Sequence, residues 1–361
     1  MTETHVCRSL IEMDFPKKTL FVFNPEHDLA LAVGNNAYTP PAEVSKLKRD
    51  LALLPAIYAG NSDFILLPAD FSPSGFDSSP FIEICRAKKL SIIHPEKLKH
   101  IGNDIFRVIP WGWDHYIRNF LLDAGINKDL LPDLSFIDEI RRLSHRRLSI
   151  DFKILMAEES GESPRLLPRE IFHEEEIPLF LERFPASFFK APWSSSGRGI
   201  ISSRHIARKG LLEWCHGVIK KQGSLIAEPA WDKAFDFATE WWVENSEVKF
   251  MGYSVFKASS RGKYHENVVD SQDNLLKMIM TKVPDFNNSI VARQADIISR
   301  LISPTYEGPL GIDMLADREG NINPCVEINL RMTMGLVGIP DFPLFLQRTQ
   351  YNLNTLKKTH L

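Results

Sequence analysis

The first 145 or so residues of this 361-residue chain predict an α/β unit on a small parallel sheet, and the remainder predicts hairpins built around polar side chains. Two observations carry this. Short apolar runs bounded by turn residues, Thr19–Phe23, Phe64–Leu67 and Leu90–Ile93, alternate with helical stretches, as parallel sheets require. From Ser187 onward, apolar runs are joined instead through small polar loops, the pattern of antiparallel pairs. One domain of this length would be unusual, so two or three lobes with cores of their own are expected.

In chain order, Pro41–Leu54 starts with a proline and has amphipathic spacing, which predicts a helix. A second helix is expected over Trp113–Leu122, then a polar connection near Lys128–Asp133. Ser149 begins a helical stretch that ends at Gly161-Glu-Ser-Pro164, and the acidic run Glu174–Glu176 reads as a solvated edge. Phe250–Val255 reads as a strand leading into a polar hairpin through Lys257, Arg261 and His265, which taken alone is an exposed loop.

Composition excludes several classes. Hydrophobic residues make up 44% and charged residues 25%, ordinary for a soluble globular chain, and a net charge of -3 leaves no footprint for nucleic acid or an anionic membrane. No window approaches the roughly 20 apolar residues of a membrane span, and no apolar run follows Met1, so a cytoplasmic protein without a signal peptide is expected. Cys7, Cys85, Cys215 and Cys325 are too dispersed for a metal knuckle and read as free thiols.

Two segments carry chemistry. In the first, Ile312-Asp313-Met-Leu-Ala316 reads as a strand, Asp317–Asn321 as a turn, and Glu327, Asn329 and Arg331 as one face of the returning strand. Two carboxylates, a carboxamide oxygen and a guanidinium on one cleft suit magnesium and phosphate, because magnesium takes hard oxygen ligands and keeps substrate phosphates in its shell. Read alone, the same hairpin is a solvated charged turn. The second segment, Ser187-Phe-Phe-Lys190 followed by Ser194, Ser195, Ser196 and Gly197, is a strand ending in a lysine and a loop of small residues. Such a loop folds closely over phosphate oxygens while the lysine supplies a point charge, although by itself it is also a flexible hairpin tip. It lacks the Walker A order.

Taken together, these pieces resemble the ATP-grasp superfamily over roughly residues 146 to 340. The resemblance implies a Rossmann-like parallel-sheet domain over 1–145 and a two-lobed α+β ATP-grasp domain over 146–361, with lobes at about 146–225 and 226–361. It implies that Lys190 contacts ATP phosphates and that Asp313, Glu327 and Asn329 hold Mg2+, with Mn2+ an acceptable substitute. Ser224–Trp231 resembles the hinge that holds adenine, which points to Glu228 and to the backbone of Pro229, Ala230 and Trp231. Asp236 takes the place of the residue that bonds the ribose. For the α-phosphate Lys153 is preferred, with Arg147 as the alternative. Gly311 stands where one branch of the family has an arginine, so charge stabilisation in the transition state falls to Arg331, Lys190, Lys257 or Arg261.

The resemblance further implies a ligase that joins a small-molecule carboxylate to an amine through an acylphosphate. A phosphotransferase or a non-catalytic ATP-binding protein on the same scaffold is the alternative, and a homodimer follows by analogy. Asn24, His27 and Asp28 directly follow the first strand, where open α/β sheets bind ligands, so they are the candidate substrate residues. Turn and helix-cap chemistry is the competing role for them.

Overall fold

The computed structural model describes residues 18–71, 79–160, 166–194, 199–258 and 264–349. Strands β1 (Lys18–Val22), β2 (Phe64–Leu66), β3 (Ser91–Ile93) and β4 (Ile105–Pro110) form a sheet of order β3-β2-β1-β4, parallel throughout. The expected α/β unit is therefore present, and its first three strands lie within a residue or so of the apolar runs that predicted them. β4 escaped sequence reading because Arg107 interrupts its apolar run. That arginine is nonetheless buried, its guanidinium donating to the Thr19 hydroxyl and to the Leu346 and Thr349 carbonyls.

Local chemistry sets the helix ends. The helix His27–Val33 follows β1 and stops at Gly34, whose φ of 70° suits a residue without Cβ and whose N–H reaches the Ala30 carbonyl. The helix expected from Pro41 runs over Ala42–Asp50, shorter than its apolar pattern, and the chain tightens into a 3-10 turn at Leu54–Ile57 around Pro55. Asp114 caps the helix His115–Asp123 by accepting from the Ile117 N–H.

Two antiparallel sheets follow. One contains β5 (Arg169–Ile171), β6 (Ser187–Lys190), β7 (Ile200–Ser202) and β8 (Leu225–Pro229) in the order β5-β8-β6-β7. The other contains β9 (Lys233–Glu244), β10 (Glu247–Ala258), β11 (Tyr264–Val268), β12 (Gly308–Asp317) and β13 (Ile322–Asn329) in the order β11-β10-β9-β12-β13. Asn245 and Ser246, both with positive φ, make the two-residue turn between β9 and β10.

The cores do not follow the chain order of the sheets. Phe189, Leu211, Cys215, Leu225 and Ala227 build a separate core for the four-stranded antiparallel sheet, under the helices Glu176–Arg183 and Arg208–Gln222. The parallel sheet and the five-stranded sheet instead share one continuous core. Phe21, Tyr58, Phe342 and Trp242 form an aromatic chain through it, with ring centroids 5.4, 5.9 and 6.2 Å apart in turn. The Met332 N–H also donates to the Trp111 carbonyl at 2.8 Å. Among the described residues no helix is long and apolar enough to cross a membrane.

Candidate nucleotide site

Alternation along β6 turns Phe189 into the core and leaves Phe188 and Lys190 on the opposite face. Register places Glu228 of β8 opposite Phe188 and Ile226 opposite Lys190, so Lys190 and Glu228 share that face. Lys153 approaches from the helix Arg147–Ser160, which packs on β13. The Lys153 ammonium donates to Glu228 Oε1 at 2.8 Å, Lys190 pairs with Oε2, and Asn323 Nδ2 donates to Oε1 at 3.3 Å. All three charged side chains are buried. Burial raises the Glu228 carboxyl, but Lys153 and Lys190 outweigh it and hold the group at about 2. Two ammonium groups against one carboxylate leave an excess of buried positive charge, which favours an incoming polyanion.

The second half of the site comes from the β12–β13 hairpin. Asp313 lies opposite Glu327 in register and Asn329 opposite Gly311. Asn329 Nδ2 donates to Asp313 Oδ2 at 3.2 Å, and Asn329 Oδ1 accepts from Arg331 Nη2 at 3.0 Å. Arg331 Nε reaches Asp28 Oδ2 at 2.9 Å, which ties this hairpin to the parallel-sheet domain. Burial, then Glu327 and Glu240, push the Asp313 carboxyl up to about 8. Among the described residues no three His, Cys, Asp or Glu side chains converge as a metal group. The set here is two carboxylates completed by an amide. Its hard oxygen donors, with two carboxyls brought opposite each other in register, fit a magnesium ion that also takes phosphate and water ligands.

Two further residues belong to the candidate site. Arg146 sits in the basic run His145–Arg147, which looks like a solvated surface, yet its guanidinium is buried and reaches Glu327 Oε1 at 2.7 Å. Its neighbour Arg147 is the exposed one, 3.5 Å from Glu170, so Lys153 rather than Arg147 faces the interior. Glu240 is buried in the middle of β9 and accepts from the Ser254 and Thr333 hydroxyls. An acid inside the run Phe237–Val243 was the available signal. Burial raises this carboxyl to about 7. Gly311 and Gly335 make room for it: a Cβ at Gly335 would lie 1.9 Å from Glu240 Oε1 and 2.5 Å from Ser254 Oγ. Gly335→Ala is expected to destabilise by about 1–3 kcal/mol through overpacking, read as a lower melting temperature.

Other candidates are placed elsewhere. The expectation that Asn24 and His27 point into the cleft needs correction, because both are fully buried. Asn24 donates to the Gly112 carbonyl at 2.8 Å and to Asp114 at 3.2 Å, and the His27 ring packs where Gly112 has no Cβ. Of that trio only Asp28 reaches the site, through Arg331. Lys257 stands apart on β10, exposed and paired with Glu266 at 2.7 Å. Asp236 pairs with Lys233 at 2.7 Å. In the hinge, the Ala230 N–H is engaged by the Ala186 carbonyl, Pro229 is buried at the end of β8 and Trp231 is half-buried. Ser194 lies within the site, bonded to Arg146, whereas Ser195, Ser196, Gly197 and Arg261 lie outside the described residues.

No protein-family model matches the chain, and no curated protein matches it in sequence. In structure it is similar to biotin carboxylase from Campylobacter jejuni, solved as a β-γ-ATP complex, with a TM-score of 0.51 and 13% identity over 94% of this chain and 70% of that one. The biotin carboxylase domain of 2-oxoglutarate carboxylase from Hydrogenobacter thermophilus, solved with MgADP, ADP and bicarbonate, gives 0.51 and 12% over 88% and 64%. N5-carboxyaminoimidazole synthetase from Staphylococcus aureus, solved with ADP, gives 0.47 and 12% over 89% and 73%. Identities at this level speak to fold alone, and the first two matches carry that argument. A parallel-sheet domain followed by two antiparallel sheets, matched along most of its length, gives this chain the ATP-grasp fold.

Proposed function

We propose that this protein is an ATP-dependent ligase that joins a small-molecule carboxylate to an amine, releasing ADP and phosphate. The observation that carries the reading is that strand β13 serves two groups: its Asn323 reaches the buried Lys153–Glu228–Lys190 cluster, and its Glu327 and Asn329 stand beside Asp313 and Arg331. The first attracts a triphosphate and the second a divalent cation, the two halves of Mg-ATP. The structures solved with nucleotide on the same fold are consistent with it. The functional division at about residue 145, with lobes meeting near 225, belongs to the same proposal.

In this mechanism a substrate carboxylate oxygen attacks the γ-phosphorus and the bond to the β-phosphate oxygen breaks, so ADP leaves. The amine nitrogen then attacks the acyl carbon, the carbon–oxygen bond to phosphate breaks, and the nitrogen gives up a proton. Magnesium, or manganese, held by Asp313, Glu327 and Asn329 would neutralise phosphoryl oxygens. Lys190 and Lys153 would orient the phosphate chain, and Arg331 would fork onto a phosphoryl or carboxylate oxygen once released from Asp28. Such catalysis is positioning and electrostatics rather than covalent work by the protein.

The test is nucleotide turnover with a panel of amines and carboxylic acids, comparing the wild type with Glu327→Ala. Equal release of ADP and free phosphate, dependent on both substrates and lost in the variant, is the expected result. ADP without free phosphate would identify a phosphotransferase. Nucleotide binding without turnover on any pair would identify a binding protein.

A further inference from the structure

The cation site and the phosphate loop are joined by one side chain that neither half of the proposed chemistry uses. Arg146 Nη1 donates to the Ala191 carbonyl and to Ser194 Oγ, both at 2.6 Å, and Nη2 donates to Glu327 Oε1 at 2.7 Å and to the Ser194 carbonyl at 3.4 Å. Its own backbone N–H donates to the Pro192 carbonyl at 3.1 Å. The loop base it grips is tight, with the Ala191 N–H on the Gly199 carbonyl and no space for a Cβ at Gly199, which would meet Ser194 at 2.4 Å. Arg146 is buried whereas Glu327 keeps part of its side chain open, so the guanidinium fixes Oε1 and, among the described residues, leaves Oε2 without a hydrogen bond. Arg146 Nε is buried without a hydrogen-bond partner among the described residues, so Nη1 and Nη2 carry the contacts of this guanidinium.

We propose that Arg146 is a positioning residue for the divalent cation: it orients Glu327 as a ligand and, with the same guanidinium, holds the base of the small-residue loop. One group thereby fixes the distance between the cation and the phosphates. The proposal rests on the Mg-nucleotide reading given above. Groups that hold a ligating carboxylate from behind act on metal affinity more than on anything else, because a carboxylate free to turn pays its ordering cost when the metal binds.

The experiment is calorimetric binding of ADP to the purified full chain, in EDTA and across a magnesium titration, for wild type, Arg146→Gln, Arg146→Lys and Ser194→Ala. For Arg146→Gln the magnesium concentration at half-maximal ADP affinity should rise by about 10- to 100-fold. ADP affinity in EDTA should change by less than about threefold. Arg146→Lys, which keeps the charge but lacks the planar fork that spans these acceptors, should give a smaller rise than Arg146→Gln. A magnesium midpoint within about threefold of wild type overturns the proposal. So does an equal loss in EDTA, since that would put the guanidinium on the phosphates themselves. Should Arg146→Gln fail to fold, Arg146→Lys and Ser194→Ala carry the measurement, with a raised midpoint expected and an unchanged one overturning the proposal. A wild type that binds no ADP with or without magnesium sinks the nucleotide reading itself, a result distinct from those.

Discussion

Glu228→Ala is expected to cost about 3–5 kcal/mol, since it strands two buried ammonium groups beside each other. Lys153 and Lys190 are held at present by the two oxygens of that one carboxylate, and Asn323 is the further donor to it. Without it each lysine keeps its burial penalty and gains a repulsive neighbour, so the loss falls on the contact between helix Arg147–Ser160 and the β6–β8 sheet. Thermal unfolding and protease sensitivity of residues 166–230 measure it. Acid behaviour supplies a second readout. Glu228 is held at about 2 against its ordinary 4.5, so its contribution is complete above 4.5 and fades as the pH drops toward 2. The variant should lack that limb of the acid profile, and saturating ADP should recover part of the lost stability by supplying phosphate oxygens to the lysines.

Asp313→Asn is expected to separate stability from function. The carboxyl it removes is desolvated, faces Glu327 and Glu240, and is pushed up from 3.8 to about 8, although the residue as a whole is half-buried. A raised acid contributes most below its ordinary value, and that contribution is lost as the pH climbs toward 8, so the metal-free protein should melt lower at pH 8 than at pH 5 on account of this group. The asparagine variant should melt at or above the wild type in EDTA and show a flatter pH dependence. Its turnover should fall by roughly 10²- to 10³-fold in kcat/KM, the usual loss when a group that stabilises transition-state charge is removed. A variant that is both less stable and fully active would remove Asp313 from the site.

The polar periodicity of the β12–β13 hairpin was legible because strand geometry repeats every two residues, so Asp313, Glu327 and Asn329 declare a shared face without any knowledge of the rest of the chain, whereas Arg331, expected on that face, lies beyond the end of β13. Lys190 was legible for a similar reason, as the residue that ends an apolar strand before a run of serines. The parallel sheet announced itself through uninterrupted apolar runs, except for β4, where Arg107 broke the pattern while serving as an internal anchor.

Sequence alone determined which residue types stand at strand ends and what chemistry those types allow, because local periodicity and donor chemistry are properties of neighbouring residues. Tertiary structure decided which of them meet. Arg146 and Glu327 are 181 positions apart, and Asp28 and Arg331 are 303 apart. Asn24 and His27 carry as much chemical promise as Asp28, and burial against Gly112 and Asp114 diverts them to holding the loop after β4 in place. Long-range pairing depends on how the sheets pack and on which charge can be desolvated beside which, and neither quantity is written in any local stretch of chain.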